Sequence, residues 1–261
     1  MGLSKSTQHK LFKAGHYIKG VIYLLIGGFA LATVVGAARG TGGPKAVIDW
    51  IGNNPFGQLL LVLLALGLFS YCAWRWYKAV ADTENEGHDK EGTVKRVAWA
   101  VSGTAYGFLG IYAVNLIVSG GGSKGGKKDV IAQLLEESWG VYAVGLIGLI
   151  MAGVGIYQFY RGVSEKYMED INSGSWSDDK QDVYRTSGKV GHVARSVVYG
   201  IIAYFLFRAA MMEDASQFKG IGESLSYLRD GSFGTALLAL VGMGLFAYGF
   251  FMFIKARYKA I

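Results

Sequence analysis

The same arrangement of two apolar segments recurs three times along this chain, and this repetition constrains the fold more than any other feature. A tyrosine recurs in the first apolar segment of each copy at offsets of 83 and 93 residues, at Tyr23, Tyr106 and Tyr199. A glycine recurs before the second segment at offsets of 83 and 94 residues, at Gly57, Gly140 and Gly234. The separation between the tyrosine and the glycine is therefore the same in all three copies to within one residue. Such regular spacing is typical of a repeat architecture.

Each copy contains long stretches without charged residues. Five such windows cover residues 20–38, 56–74, 97–123, 138–160 and 231–254. A sixth, residues 196–212, is interrupted only by Arg208. Roughly 20 helical residues cross a bilayer core of about 30 Å, and backbone groups in lipid must bond within the protein. The sequence therefore predicts an all-α membrane protein with six transmembrane helices.

We expect one membrane domain, residues 1–261, built from three tandem two-helix repeats at residues 9–82, 88–165 and 182–261. Because two spans return the chain to the same side, all repeats share one orientation, and we predict a pseudo-threefold arrangement about the membrane normal. The polar linkers, residues 82–91 and 165–182, are interpreted as solvent-exposed connections. Apolar residues at helical spacing predict a short surface helix in each outer loop, at residues 45–51, 129–135 and 222–228.

The net charge of +7 is compatible with a nucleic-acid partner, but the distribution of the basic residues favours a membrane topology instead. The N-terminal segment to Lys19, the two linkers with their flanking helix ends (residues 75–96 and 161–195) and the tail from Lys255 carry 18 of the 26 Lys and Arg residues, and the remaining segments carry 8. Basic residues favour the cytoplasmic side of a membrane. We therefore predict a multi-pass membrane protein with both termini in the cytoplasm and no nucleic-acid partner.

The partners we expect are the lipid bilayer and, at the cytoplasmic face, its anionic headgroups. Six aligned basic residues are predicted to reach those headgroups: Lys13, Arg96, Lys189, Lys78, Arg161 and Lys255. Small residues share one helix face in Gly103-xxx-Gly107 and Gly148-xxx-Ala152, a pattern that permits close helix packing. Packing within one chain, a homo-oligomer and a membrane-protein partner are all compatible with it.

Arg208 is the strongest candidate for a polar site inside the membrane. Twelve residues separate it from Arg195, roughly 18 Å of helix, so it lies past the midplane if Arg195 marks the inner boundary. One interpretation is an anion-attracting site in an outward-facing cavity, and the other is a side chain that reaches the outer headgroups. The remaining candidates for this intramembrane site are Asn115, Glu213, Tyr23, Tyr106 and Tyr199.

Four further polar residues are predicted at the cytoplasmic boundary: His16, His192, Arg75 and Gln158. The two histidines occupy aligned positions in the first and third repeats, where either pH sensing or interfacial hydrogen bonding is compatible with the sequence. Arg75 and Gln158 also align and are interpreted as polar groups that face the inner surface.

The sequence does not show the residue patterns that are typical of catalytic sites. Cys72 is the single cysteine, so the chain cannot form an internal disulfide. The sequence lacks metal-ligand spacing, a phosphate-binding glycine loop and a nucleophile elbow. We expect no catalytic residues, no metal site, no cofactor and no enzymatic activity.

Several segments resemble a known bacterial family. They are residues 14–27, 55–57 with 63–71, 191–200 and 239–249. These resemble the "domain of unknown function 1206" family, which is described as three repeated pairs of transmembrane helices. The second repeat departs most, because Ala98-Trp99 replaces the Gly-His of the other copies. The resemblance implies an integral protein of the bacterial inner membrane, and it brings no catalytic or binding residues to transfer.

These observations favour an uncharacterised, non-catalytic membrane component, such as a scaffold, an accessory subunit or an envelope protein. The first alternative is a channel or carrier for a small anionic or polar solute, with Arg208 and Asn115 along its path. The second alternative is a lipid-modifying enzyme embedded in the membrane.

Overall fold

The architecture is all-helical over the residues that the computed structural model describes: 4–37, 42–53, 57–83, 87, 89–119, 131–132, 134–171, 176–231 and 233–258. Eight α-helices are bounded within this part of the chain: α1 Lys5–Val34, α2 Pro44–Gly52, α3 Gly57–Ala81, α4 Lys90–Ser119, α5 Gly140–Val163, α6 Asp178–Met212, α7 Ile221–Arg229 and α8 Gly234–Tyr258. Two 3₁₀ turns, Lys166–Asp170 and Ala215–Gln217, lie on either side of α6.

The prediction of six membrane-spanning helices is confirmed. Six segments are long and apolar enough to cross a membrane: Ser6–Val34, Gly57–Ala81, Gly92–Val118, Gly140–Val163, Asp178–Met212 and Gly234–Tyr258. The short helices α2 and α7 match the predicted surface helices at residues 45–51 and 222–228. The third prediction falls on residues 129–135, of which 131–132 and 134–135 are helical and the others lie outside the described residues.

The chain divides into two compact units that cut across the sequence repeats. The first comprises Met1–Val21, Ile48–Ser123 and Met252–Ile261, and the second comprises Ile22–Val47 and Lys124–Phe251. In the first unit, α3 packs against α1 and α4. In the second unit, α6 packs against α5 and α8, and the later part of α1 also packs against α8.

Glycines bring neighbouring repeats into contact. A β-carbon on Gly103 of α4 would lie 3.0 Å from Arg75 Cβ of α3, and one on Gly110 would lie 3.1 Å from Phe69 Cε1. In the second unit, a β-carbon on Gly148 of α5 would lie 3.3 Å from Leu206 Cβ of α6. The glycines of the two patterns therefore serve packing within the chain, because a β-carbon at Gly103 or Gly148 would make unusually tight contacts with the neighbouring helix.

The three aligned glycines have a shared structural role. Each begins the second long helix of its repeat, where a β-carbon would overlap a backbone carbonyl oxygen of the preceding segment. The carbonyl belongs to Ile51 for Gly57, to Leu134 for Gly140 and to Arg229 for Gly234. The sharp corner between each outer segment and the following span therefore requires a residue without a side chain.

Several aligned basic residues bind inside the protein. The Arg96 guanidinium donates to the carbonyls of Ala79 at 2.7 Å and Val80 at 3.1 Å, at the C-terminal end of α3. Lys78 is 7% exposed, and its Nζ lies 3.9 Å from the centre of the Trp99 ring. These cations join the first repeat to the second, and Arg96 also neutralises the partial negative charge of a helix end.

Candidate functional site: two buried clusters of a cation with tyrosines

Arg195 lies at the middle of α6 with 7% of its surface exposed. Its Nη1 donates to the Tyr248 hydroxyl at 2.5 Å and to the amide oxygen of Gln158 at 3.3 Å. Its Nη2 donates to the Tyr199 hydroxyl at 2.8 Å. A single guanidinium thus connects α5, α6 and α8, using the planar fork of donors that distinguishes arginine from lysine.

Aromatic faces surround the same guanidinium. Its central carbon lies 4.5 Å from the ring centre of Tyr248, 5.3 Å from that of Tyr199 and 5.4 Å from that of Tyr23 on α1. Rings at these distances attract a cation through their quadrupoles, more strongly where water is excluded. The environment therefore lowers the cost of burying the positive charge.

His192 completes this group, one turn before Arg195. Its Nδ1 lies 2.5 Å from the Gln158 amide oxygen, and its side chain is buried. Because an amide oxygen only accepts hydrogen bonds, His192 donates from Nδ1. Gln158 therefore accepts from two donors at once. We call this group the Arg195 cluster: His192, Arg195, Tyr199, Gln158, Tyr248 and Tyr23.

A related group surrounds Lys19 in the first unit. Lys19 Nζ donates to the Tyr71 hydroxyl at 3.1 Å and lies 5.1 Å from the centre of that ring. The Tyr106 ring of the second repeat lies 5.6 Å away. His16 Nδ1 bonds to the Phe12 carbonyl oxygen at 2.8 Å. We call Lys19, His16, Tyr71 and Tyr106 the Lys19 cluster.

The two clusters occupy equivalent sequence positions. His16, Lys19 and Tyr23 each precede their counterpart in the third repeat by 176 residues, and Tyr71 precedes Tyr248 by 177. In both clusters the cation contacts a tyrosine of its own repeat and a tyrosine from another repeat. The second repeat has Trp99 and Ser102 at these positions, so it lacks the cation.

Neither Lys19 nor Arg195 was among the candidates predicted from the sequence, since both stand at the edge of an uncharged window. The signal that identifies them is the aligned spacing of histidine, cation and tyrosine in two repeats. Tyr23, Tyr106 and Tyr199 were candidates, and the structure places all three against these cations.

The other intramembrane candidates lie elsewhere. Arg208 is half-buried and donates to Met212 Sδ at 3.8 Å on its own helix. Glu213 is exposed beyond the end of α6 and adopts a left-handed backbone with φ of 50°. Asn115 is exposed on α4 of the first unit. Whether these three residues form a site stays a prediction.

The four predicted boundary residues differ in environment. His16, His192 and Gln158 are buried among other helices, and Arg75 is half-buried with its guanidinium 5.6 Å from the centre of the Tyr71 ring. Gln158 and His192 thus serve hydrogen bonding between α5 and α6.

A small cavity adjoins Arg195. Its volume is about 10 Å³, and its lining is mostly apolar: Tyr23, Ile26, Arg195, Val198, Tyr199, Ile221 and Leu245. This volume corresponds to roughly one water molecule. The cavity therefore has no room for a solute larger than that.

Comparison with known proteins gives the family. Residues 14–82, 97–165 and 190–259 each match the family described as "Domain of Unknown Function (DUF1206)". The chain belongs to the DUF1206 family. It is also similar to "Uncharacterized protein YxxB" of Bacillus subtilis (strain 168), with 26% identity over 247 residues that cover 95% of this chain and 90% of the relative. No solved structure matches. The resemblance seen in the sequence is confirmed, and the DUF1206 repeats coincide with the paired spans.

The Lys19 cluster provides a first prediction. Tyr71→Phe retains the aromatic face next to Lys19 but removes the hydroxyl that accepts its hydrogen bond. We expect the free energy of unfolding to fall by about 1.5–3 kcal/mol, the range for hydrogen bonds to charged groups. Denaturant titration in mild detergent measures this change. Tyr142→Phe is the matched control, since Tyr142 is 80% exposed, and an equal loss in both variants would contradict the assignment.

Proposed function

We propose that this DUF1206 protein is a non-catalytic component of the bacterial inner membrane, which acts as a scaffold or accessory subunit through other membrane proteins. The observation that carries the proposal is the set of contacts that the two buried cations make. Arg195 bonds to residues on α5, α6 and α8, and Lys19 contacts α3 and α4. Both cations therefore stabilise contacts between repeats, which is what a rigid membrane scaffold requires.

The uneven exposure of the spans supports the same proposal. In the most apolar windows of α4 and α5, 17% and 22% of residues are buried, compared with 39–50% in the other four spans. Fewer residues are therefore buried in α4 of the first unit and in α5 of the second unit than in the other spans. Lipid covers the exposed apolar surface of such a span by default, and a partner helix fits it equally well.

Purification under mild conditions tests the proposal. The tagged protein is extracted from native membranes and its co-purifying proteins are quantified, with an unrelated six-span protein as control. We expect a reproducible partner at near-stoichiometric amounts. In parallel, the purified protein in liposomes is tested for flux of chloride, phosphate and amino acids. Isolation of the monomer alone, together with flux, would reject the scaffold and favour the carrier alternative.

The proposed topology has its own test. We propose that both termini are cytoplasmic, because basic residues concentrate in the N-terminal segment, the linkers and the tail. Reporter fusions after residues 261 and 87 should then report the cytoplasm, and a fusion within residues 120–126 should report the opposite side. A periplasmic signal from residue 261 would overturn this orientation.

A further inference from the structure

The linker between the second and third repeats folds back onto the Arg195 cluster. Its 3₁₀ turn, Lys166–Asp170, inserts the fully buried Tyr167 side chain. The Tyr167 ring stacks on His192 with 5.4 Å between ring centres and an interplanar angle of 22°. It meets Phe251 edge-on, also at 5.4 Å. The sequence predicted an exposed linker, and that prediction is wrong for Tyr167 and for Ile171, which is 7% exposed.

Hydrogen bonds fix the Tyr167 side chain and its backbone. The Tyr167 hydroxyl donates to the Arg185 carbonyl at 2.6 Å, and the Tyr184 hydroxyl donates to the Tyr167 carbonyl at 3.3 Å. Burial and the nearby Glu165 carboxylate raise the pKa of Tyr167 to about 12. Gly188 leaves the space for the ring, since a β-carbon there would lie 2.8 Å from Tyr167 Cδ2.

Ion pairs at the rim hold the linker in this position. Glu165 pairs with Arg185 at 3.2 Å and with Lys189 at 3.5 Å, and Asp170 pairs with Arg161. The two Glu165 pairs are substantially exposed, so water and salt weaken them. Glu165 also adopts a left-handed backbone with φ of 55°, which is unfavourable for a residue with a side chain. Besides the Tyr167 anchor and its hydrogen bonds, two exposed ion pairs and the less exposed Asp170–Arg161 pair hold this segment against α5 and α6.

We propose that residues 164–171 form a releasable lid that controls the access of water to the Arg195 cluster. Closed, the lid covers His192 with the Tyr167 ring, as the structure shows. Open, it exposes the face of His192 that leads to Gln158 and Arg195. This inference goes beyond the scaffold proposal and does not depend on it, because the lid is defined by contacts within the second unit.

Thiol accessibility measures lid opening. Ser187→Cys, in a Cys72→Ala background, places a near-isosteric probe at a position that is 8% exposed and directly precedes Gly188, the residue against which the Tyr167 ring packs. The rate of modification by a maleimide, measured on the folded protein in mild detergent, reports the open fraction. Glu165→Gln removes both Glu165 pairs, keeps the Asp170–Arg161 pair and changes the side-chain size little. We expect it to raise the rate by about fivefold to tenfold, the effect of losing two surface ion pairs.

The matched control is Asp182→Asn, which removes a pair between Arg185 and an Asp182 side chain that is 70% exposed and lies outside the lid. We expect less than about a twofold change from it. Raising the salt concentration should increase the rate of maleimide modification of the parent protein and leave the rate for Glu165→Gln nearly unchanged. Tyr167→Ala should give the fastest modification, and a monodisperse elution profile with unchanged helical signal shows that it folds. Equal rates for Glu165→Gln and Asp182→Asn would overturn the proposal, even if Tyr167→Ala does not fold.

Discussion

Replacing Gln158 by leucine should lower the free energy of unfolding by about 3–5 kcal/mol, the range for a buried charge that loses a partner. The Gln158 amide oxygen accepts from both His192 and Arg195, and the side chain is 9% exposed. Leucine fills a similar volume but accepts no hydrogen bond. The two donors then remain buried next to an apolar group, at a cost that is highest for the charged guanidinium.

Denaturant titration in mild detergent measures the effect of Gln158→Leu, and two variants separate its causes. Asn115→Leu makes the same amide-to-leucine change at an exposed position, and we expect a change of less than about 0.5 kcal/mol. Gln158→Glu retains an acceptor and adds a negative charge beside Arg195, so it should be less harmful than leucine. If Asn115→Leu and Gln158→Leu are equally stable, the Arg195 cluster does not hold these helices together.

The spans and the repeats could be predicted from the sequence because their signals are local. About 20 uncharged residues specify a membrane helix whatever packs beside it. The polar clusters depend instead on which helices meet, and a single sequence carries no direct record of that. Lys19 and Arg195 stand next to uncharged windows, where a basic residue ordinarily marks a membrane boundary. Only the structure shows that their side chains turn inward toward tyrosines.

The linker and the basic residues illustrate the same limit. A mixed-charge segment with Gly and Ser ordinarily predicts solvent exposure, but Tyr167 finds a space beside Gly188 that no local pattern indicates. Arg161 was expected to reach lipid headgroups, and the sequence did not indicate its ion pair with Asp170 of the linker. The sequence shows where a charged residue lies along the chain. The tertiary structure determines which group that residue pairs with.

Gly234→Ala should lower the free energy of unfolding by about 2–4 kcal/mol, a large loss for the addition of one methyl group. The added carbon would overlap the backbone carbonyl of Arg229, where α7 ends shortly before α8 begins. Flexible side chains can move aside, but a carbonyl at a helix end moves only with its backbone. The strain therefore separates α7 from α8 or unwinds the first turn of the span.

The control for Gly234→Ala is the same substitution where space is open. Gly145 on α5 and Gly200 on α6 have no atom within 4 Å of an added β-carbon. Alanine there should be neutral or should stabilise its helix by up to about 1 kcal/mol, since alanine favours the helix more than glycine does. Gly140→Ala should reproduce the loss seen for Gly234→Ala, because its β-carbon would meet the Leu134 carbonyl in the same way. Thermal unfolding of the four variants in one detergent compares them directly. If Gly234→Ala and Gly140→Ala behave like the open positions, the corner geometry does not explain why glycine recurs at this position in all three repeats.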